Sequence, residues 1–424
     1  MVVIGVDDTD SRSAGMCTTW IATEIVRRLP PGAVERTALI RLNPAIEHKT
    51  RGNGAVAIET TASTDTAFSI GRDVIDTWAV AEDPDTNPGL VVADRAVAEA
   101  APVRTIAENA IRTTVERQTV DDTLESLAVT HQQWANGRGL IGATAAIGAI
   151  GARNTEQPLF RDWTYEWLVY REPDRWGTPR TVATPSEEFS CESPAVWDTI
   201  DPVTNDLACV PHSPCPVLFG IRGDDPHRVR AVGEQLTGEP KARGRLFETN
   251  QGTDAHLRPG GSDTLVDGAC YRVRGAVIEA PETQRGGHVR MAIEVGDRQL
   301  PCYAFAPTGP FRDHVRALVP GDDVLVCGEL GEGTLKLEKF ALVRPVLSDR
   351  VTPTCPDCDR RMKSAGRNQG YRCRDCGTSR AEKELAALDR DIERGWYEVP
   401  PIARRHLAKP LIRGNHALPI PPTA

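Results

Sequence analysis

Three aspartates, Asp7, Asp8 and Asp10, fall within four positions at the end of the apolar run Val2 to Val6. The run is short, apolar and β-branched, so it reads as a buried strand, and the carboxylates sit where the strand gives way to a loop. Like charges this close repel, and each raises its neighbours' pKa unless a cation is present. A hard divalent ion such as magnesium takes carboxylate oxygens while keeping waters and substrate phosphates as its other ligands. The competing reading is an acidic turn with helix caps, since Asp and Ser serve both.

A second loaded pattern lies near the other end. Cys355 and Cys358 form one C-x2-C pair, Cys373 and Cys376 another, with fourteen residues between them. Two such turns facing each other supply a closed four-sulfur zinc site, structural rather than catalytic, that lets a short segment fold. An iron–sulfur or redox role is the alternative. Arg360, Arg361, Lys363, Arg367, Arg372 and Arg374 surround the pairs, with Tyr371 among them. Cations interleaved with an aromatic suit phosphate contact and base stacking.

Three further stretches carry polar groups at suggestive spacing. In His48–Gly54, Lys49 and Arg51 lie two apart with Asn53 beside them, and can clamp a phosphate opposite a metal. An ordinary connection between strands would look the same. In Asn136–Gly142, Gly137, Arg138 and Gly139 precede a helix whose amides can hold an anion; close helix packing explains the glycines equally well. Asn250, Gln251, Asp254 and His256 follow a strand in a stretch dense in hydrogen-bonding groups. It reads either as recognition of a polar substrate or as a capped, glycine-bearing loop. No G-x-x-x-x-G-K-[ST] loop, nucleophile elbow, kinase signature set or zinc-protease helix occurs.

The elements that must position these groups follow from periodicity. Residues 1–130 alternate strands (2–6, 34–42, 55–61, 89–93) with helices (16–29, 65–80, 103–118, 121–129), an α/β unit. Residues 131–262 add a Gly/Ala-rich segment, 137–152, read as a loop feeding a tightly packed helix. Strands at 165–171, 216–222 and 245–250 and a helix at 226–236 then suggest a ferredoxin-like sandwich. Residues 263–348 read as five short strands, 271–278, 289–295, 299–305, 324–329 and 335–343. An OB-type barrel, or another small β-barrel, fits them. The ribbon occupies 349–380 and a basic segment 381–424. The fold class is therefore multidomain α+β.

The chain has 424 residues, enough for several real cores, and no apolar run long enough to span a bilayer. Eleven cysteines, seven of them scattered singly, suit a reducing compartment and a cytoplasmic protein without a membrane role. The net charge of −9 is uneven: residues 349–424 hold 15 Lys+Arg against 10 Asp+Glu. An acidic body with a basic end fits local nucleic-acid binding, or else a solvated basic tail.

Taken together, Gly5-Val6-Asp7-Asp8-Thr9-Asp10-Ser11, Gly15-Met16-Cys17-Thr18-Thr19, Lys49-Thr50-Arg51-Gly52-Asn53, Gly137-Arg138-Gly139-Leu140-Ile141-Gly142, Phe219-Gly220-Ile221-Arg222-Gly223 and Thr249-Asn250-Gln251-Gly252-Thr253-Asp254-Ala255-His256 resemble the archaeal agmatidine synthetase family. The resemblance runs in order from residue 1 to the ribbon. It implies an ATP-dependent kinase-like catalytic domain, a ferredoxin-like domain, an OB fold that binds tRNA and a zinc ribbon. It also implies a ligase that attaches agmatine to C2 of the wobble cytidine of the CAU-anticodon isoleucine tRNA, so that the anticodon reads AUA. Carried over, Asp7, Asp8 and Asp10 hold magnesium on the ATP phosphates, and Thr18 matches the family's self-phosphorylated threonine. Lys49, Arg51 and Asn53 contact phosphates, and Asp254 contacts agmatine. The other class of function compatible with the residues is a non-catalytic nucleic-acid-binding protein with an ATP-sensing N-terminal half.

Overall fold

In the first half of the chain, strands buried on both faces set the layers. The computed structural model describes residues 1–424 except 48, 50, 51, 154, 156, 186–191, 415 and 419–424. Strand β1 (Val2–Asp7) turns Val2, Ile4 and Val6 into one core with helices α1 (Thr18–Arg28) and α2 (Thr64–Trp78). Val3 and Gly5 face the other side. The same alternation divides β2 (Val34–Arg41), β3 (Gly54–Thr60) and β4 (Gly89–Asp94), whose second face meets α3 (Ala101–Arg112) and α5 (Gly139–Ala152). Between them come α4 (Arg117–Ser126) and the short β5 (Thr130–Gln133).

Helix α1 starts later than the pattern predicts. Gly15 and Met16 both have left-handed backbones, with φ of 92° and 64°, so the helix cannot form before Cys17. The expected helix over 103–118 ends at Arg112, where Thr113, Thr114 and Val115 leave the helical run.

Strands β6 (Thr164–Tyr170), β7 (Val217–Gly223) and β8 (Arg243–Thr249) extend the same sheet, with α6 (Pro226–Gln235) packed on β6 and β7. The sheet has eight strands in the order β5-β4-β1-β3-β2-β8-β6-β7 and continues without a break across residue 130. All pairings are antiparallel except β8 with β2, whose ladder is only Glu248 against Ala38 and Thr249 against Leu39.

After β9 (Leu257–Gly260), five strands close on themselves: β10 (Ala269–Thr283), β11 (Val289–Val295), β12 (Arg298–Ala304), β13 (Asp323–Gly331) and β14 (Thr334–Arg344). Around the barrel the order is β10-β11-β12-β14-β13 and back to β10. A short helix, α7 (Phe311–Arg316), which periodicity does not announce, packs on β10, β11 and β12. The four cysteines lie in a small module that holds a three-stranded sheet of very short strands, after which β15 (Gly395–Glu398) joins the edge of β14. Residues 399–414 then run back as a strap to the first half.

The short β8–β2 seam is completed by a side chain. Asn250 Oδ1 accepts from the Arg41 amide at 2.8 Å, and its Nδ2 donates to the Arg41 carbonyl at 2.9 Å. Asn250→Ala leaves a buried amide and carbonyl unpaired, so denaturant unfolding followed by tryptophan fluorescence should show a loss of about 1–3 kcal/mol. An unchanged midpoint would mean that the seam does not depend on this residue.

Candidate active site

A cavity of about 630 Å³ opens between the C-terminal end of β1, the β2–β3 connection, β6, β7 and the strap. Asp7, Asp8, Asp10 and Thr18 all line it. Asp7 ends β1, and helix α5 passes so close that a Cβ on Gly142 would lie 1.8 Å from its Oδ2. A Cβ on Gly5 would lie 2.2 Å from the Ala143 carbonyl, so glycines at both positions set this approach. Asp8 takes a left-handed backbone, φ 57°, which turns the chain out of the strand and aims its carboxylate at Arg138, 3.0 Å away.

Burial raises Asp7 well above the usual carboxyl range, and the neighbouring charge of Asp8 raises it further. Burial also pushes Asp8 up to about 6, against the pull of Arg138. Such a cluster favours its ionised form only with a cation beside it. Thr18 opens α1, and its buried hydroxyl accepts a hydrogen bond from Thr9 at 3.1 Å. Its own proton is free to point elsewhere.

The other candidates divide. Lys49 and Asn53 line the cavity. The Lys49 ammonium donates to the Pro44 carbonyl and is half-buried, and burial followed by the charge of Arg405 lowers its pKa. Asn53 donates to the Asn43 carbonyl at 2.8 Å. Arg51 lies outside the described residues. Arg138 reaches the cavity, but the amides of Gly137 and Gly139 donate to the carbonyls of Trp134 and Asn87, both at 2.9 Å. These two amides are thus already paired within the chain, and close packing accounts for Gly139 and Gly142.

Asn250, Gln251, Asp254 and His256, the expected substrate contacts, do not line the cavity. Asn250 closes the seam described above. Gln251 donates to Glu166 at 2.6 Å. Asp254 is held by Lys339 of β14 at 2.6 Å and accepts from the Lys409 amide at 2.6 Å. Burial alone would raise its pKa, but Lys339 and His256 outweigh it and hold the carboxyl below its usual value. His256 pairs with Glu338 of β14 at 3.1 Å. Much of the polar density of this loop goes to partners within the chain, joining sheet, barrel and strap, while Gln251 Oε1 and His256 Nδ1 are buried without a partner among the described residues.

Among the cavity residues given no role in the sequence reading are Arg41, Glu166, Arg222 (quoted only within the Phe219–Gly223 motif) and His406. Charges inside the otherwise apolar strands β6 and β7 were a usable signal for Glu166 and Arg222, because an unpaired charge is costly there. His406 gave none.

At the ribbon, the Sγ atoms of Cys355, Cys358, Cys373 and Cys376 all lie within 4.8 Å of one another. Tetrahedral zinc with bonds of about 2.3 Å needs sulfurs about 3.8 Å apart, so this donor set fits it. The six basic residues around it are exposed.

Comparison with known proteins agrees with this geometry. Residues 3–71 match the TiaS TCKD domain, residues 137–256 the TiaS FLD domain and residues 352–392 the TiaS C-terminal zinc ribbon domain. The 2-agmatinylcytidine synthetase TiaS of Haloquadratum walsbyi, which acts on the second isoleucine tRNA, is 45% identical over the full length of both chains. The chain belongs to the TiaS family. The relative from Methanosarcina mazei is 42% identical over 97% of each chain. A solved complex of TiaS with that isoleucine tRNA and ATP is 37% identical and superposes with a TM-score of 0.86 over 99% of this chain and 98% of that one. A complex of TiaS with the tRNA, AMPCPP and agmatine is 35% identical, with a TM-score of 0.81 over the same shares. Shared architecture thus extends through the strap as well as the catalytic half.

The strained carboxylates make a stability prediction. Asp8 keeps its proton up to pH about 6 in the folded metal-free protein but loses it near 3.8 when unfolded. Between those values the folded state binds the extra proton, so stability falls as pH rises, by up to roughly 3 kcal/mol. Thermal unfolding of metal-free Asp8→Asn should show a flatter pH slope and a higher midpoint at pH 7. An identical slope would show that Asp8 is not under strain.

Proposed function

We propose that the chain is an ATP-dependent tRNA-modifying ligase that joins agmatine to C2 of the wobble cytidine of the CAU-anticodon isoleucine tRNA. The observation that carries this is the meeting of Asp7, Asp8, Asp10 and Thr18 at one cavity, in a family whose solved members hold an isoleucine tRNA, ATP and agmatine. The carbonyl oxygen on C2 is a poor leaving group. Moving a phosphoryl group onto it lets the primary amine of agmatine attack C2 while phosphate departs. ATP is consumed to AMP and phosphates, as the family resemblance implies.

Each part has a place in this scheme. Asp7, Asp8 and Asp10 would hold magnesium, which when bound would neutralise charge on the ATP phosphates. The raised pKa values of Asp7 and Asp8 support a cation beside them. Arg138 and Lys49, with Asn53, face the nucleotide phosphates, and Thr18 offers a hydroxyl as phosphoryl acceptor beside them. We assign residues 1–130 to a kinase-like domain, 131–262 to a ferredoxin-like domain, 263–348 to an OB fold, 349–380 to the zinc ribbon and 381–424 to a basic segment. The strand order of the closed barrel supports the OB assignment. The wobble base must leave the anticodon stack to reach the cavity, so grip elsewhere on the tRNA is required. Barrel and ribbon supply it, and the acidic body attracts dicationic agmatine. Scattered free cysteines suit a cytoplasmic location, and no helix among the described residues is long and apolar enough to cross a membrane.

Incubation with tRNA, ATP and labelled agmatine tests the assignment, with mass analysis of the wobble nucleoside as readout. Incorporation is expected with agmatine and not with lysine; a pure binder incorporates nothing. Asp7→Ala should abolish incorporation and leave tRNA affinity within about twofold. Loss of tRNA binding would instead remove the metal role from Asp7.

Zinc removal should act on the other half of the function. Cys373→Ser should disorder the ribbon, weaken tRNA binding at least tenfold and leave ATP affinity unchanged. Intact tRNA affinity in that variant would exclude the ribbon from tRNA recognition.

A further inference from the structure

Arg41 ends β2, Glu166 and Arg222 lie on β6 and β7, and His406 arrives on the strap; all four line the cavity. Among the described residues, no carboxylate comes within hydrogen-bond distance of either guanidinium. Arg41 Nη2 and Arg222 Nε each stand 3.7 Å from Glu166, and Arg222 Nη1 stands 3.6 Å from Asp198. Both carboxylates are already engaged, Glu166 by Gln251 at 2.6 Å and Asp198 by Arg404. The Nε atoms of Arg41 and Arg222 and Nδ1 of His406 are buried without a hydrogen-bond partner among the described residues. Buried donors are almost always paired, and leaving one unmade costs more than making it stabilises.

The surroundings hold these groups in place. A Cβ on Gly220 would lie 2.6 Å from Glu166 Oε1, so the Phe219–Gly223 stretch needs glycine there to admit the carboxylate beside Arg222. At Gly52 a Cβ would lie 2.8 Å from Arg41 Nη1 and 3.0 Å from His406 Nε2, which brings both groups against the β2–β3 connection. The strap is pinned where it delivers the histidine: the Gly252 amide donates to the His406 carbonyl and the Asp254 amide to the Leu407 carbonyl, both at 2.8 Å. Burial, and then the charges of Arg41 and Arg222, lower the imidazole pKa well below its usual value. It therefore offers a neutral N–H beside two cations.

We propose that Arg41, Arg222 and His406 form a phosphate-binding subsite of the cavity, separate from the aspartate cluster. A guanidinium fork matches phosphate oxygens two at a time, and two guanidinium groups with unpartnered Nε atoms, beside Glu166 and Asp198 that are already engaged elsewhere, favour an anion over a dication such as agmatine. The proposal rests on the ligase reading only for its choice of ligand source, the nucleotide phosphates or the tRNA backbone.

The test is calorimetric binding to full-length protein without divalent cations, so that the aspartates contribute no metal site. The probes are pyrophosphate, ATP, tRNA and agmatine, each added alone, and no outcome depends on agmatine incorporation. Arg222→Gln should weaken phosphate-bearing ligands at least tenfold and leave agmatine within twofold. Loss for pyrophosphate and ATP assigns the nucleotide; loss for tRNA alone assigns the backbone. Should Arg222→Gln fail to fold by near-ultraviolet circular dichroism, His406→Ala should weaken the same ligand about threefold. Affinities for ATP and tRNA both within twofold of wild type in a folded variant would overturn the proposal. So would an equal loss for agmatine, which marks a merely structural arginine.

Discussion

The close approach of α5 to β1 is the contact on which the catalytic half depends. Ala143 and Gly142 can lie against Gly5 and Asp7 only because neither glycine carries a side chain. With a Cβ at either position the helix would have to stand further from β1. Here the helix covers it and buries Asp7 and Asp8 enough to raise both carboxyl pKa values. The chemistry of the triad is thus set by backbone packing.

A second constraint holds the halves of the molecule in register. The β8–β2 ladder is too short to fix the barrel, so the loop that follows it does so through side chains. Asn250 reaches β2, Asp254 and His256 reach Lys339 and Glu338 on β14, and the backbone at Gly252 and Asp254 binds the strap. Burying ion pairs such as Lys339–Asp254 gives little net stability against well-packed apolar groups. Their value is directional: a charge that is costly to leave unpaired fixes one arrangement of sheet, barrel and strap.

This explains which parts of the molecule were legible in the sequence. The strands of the barrel, the first sheet strands and the cysteine pairs are encoded in local patterns, period two or a fixed spacing, and the observed elements lie within a few residues of those expected. The start of α1 was misplaced because left-handed Met16 follows no composition rule. The partners of the 250–256 loop were not legible, because hydrogen-bonding capacity shows in a sequence while its partners do not; Lys339 and Lys409 are far along the chain. The continuity of the sheet across residue 130 was hidden for the same reason, since β8 reaches β2 through only two paired residues. His406 stands at the extreme: nothing near it in sequence marks it, and its surroundings come from β2, β7 and the β2–β3 connection.

Such a cavity has a consequence for how the protein becomes active. Its walls are drawn from the end of β1, the β2–β3 connection, the start of α5, the segment before β7 and the strap. Contacts so distant in sequence form only after the intervening chain has ordered, because loop closure precedes any gain from them. The strap lies beyond both barrel and ribbon, and β15 must add to β14 before the strap can reach Gly252. The cavity is therefore complete only once the barrel edge and the strap are in place. Routing the last wall through the C-terminus thus makes the cavity depend on the barrel edge that carries the strap.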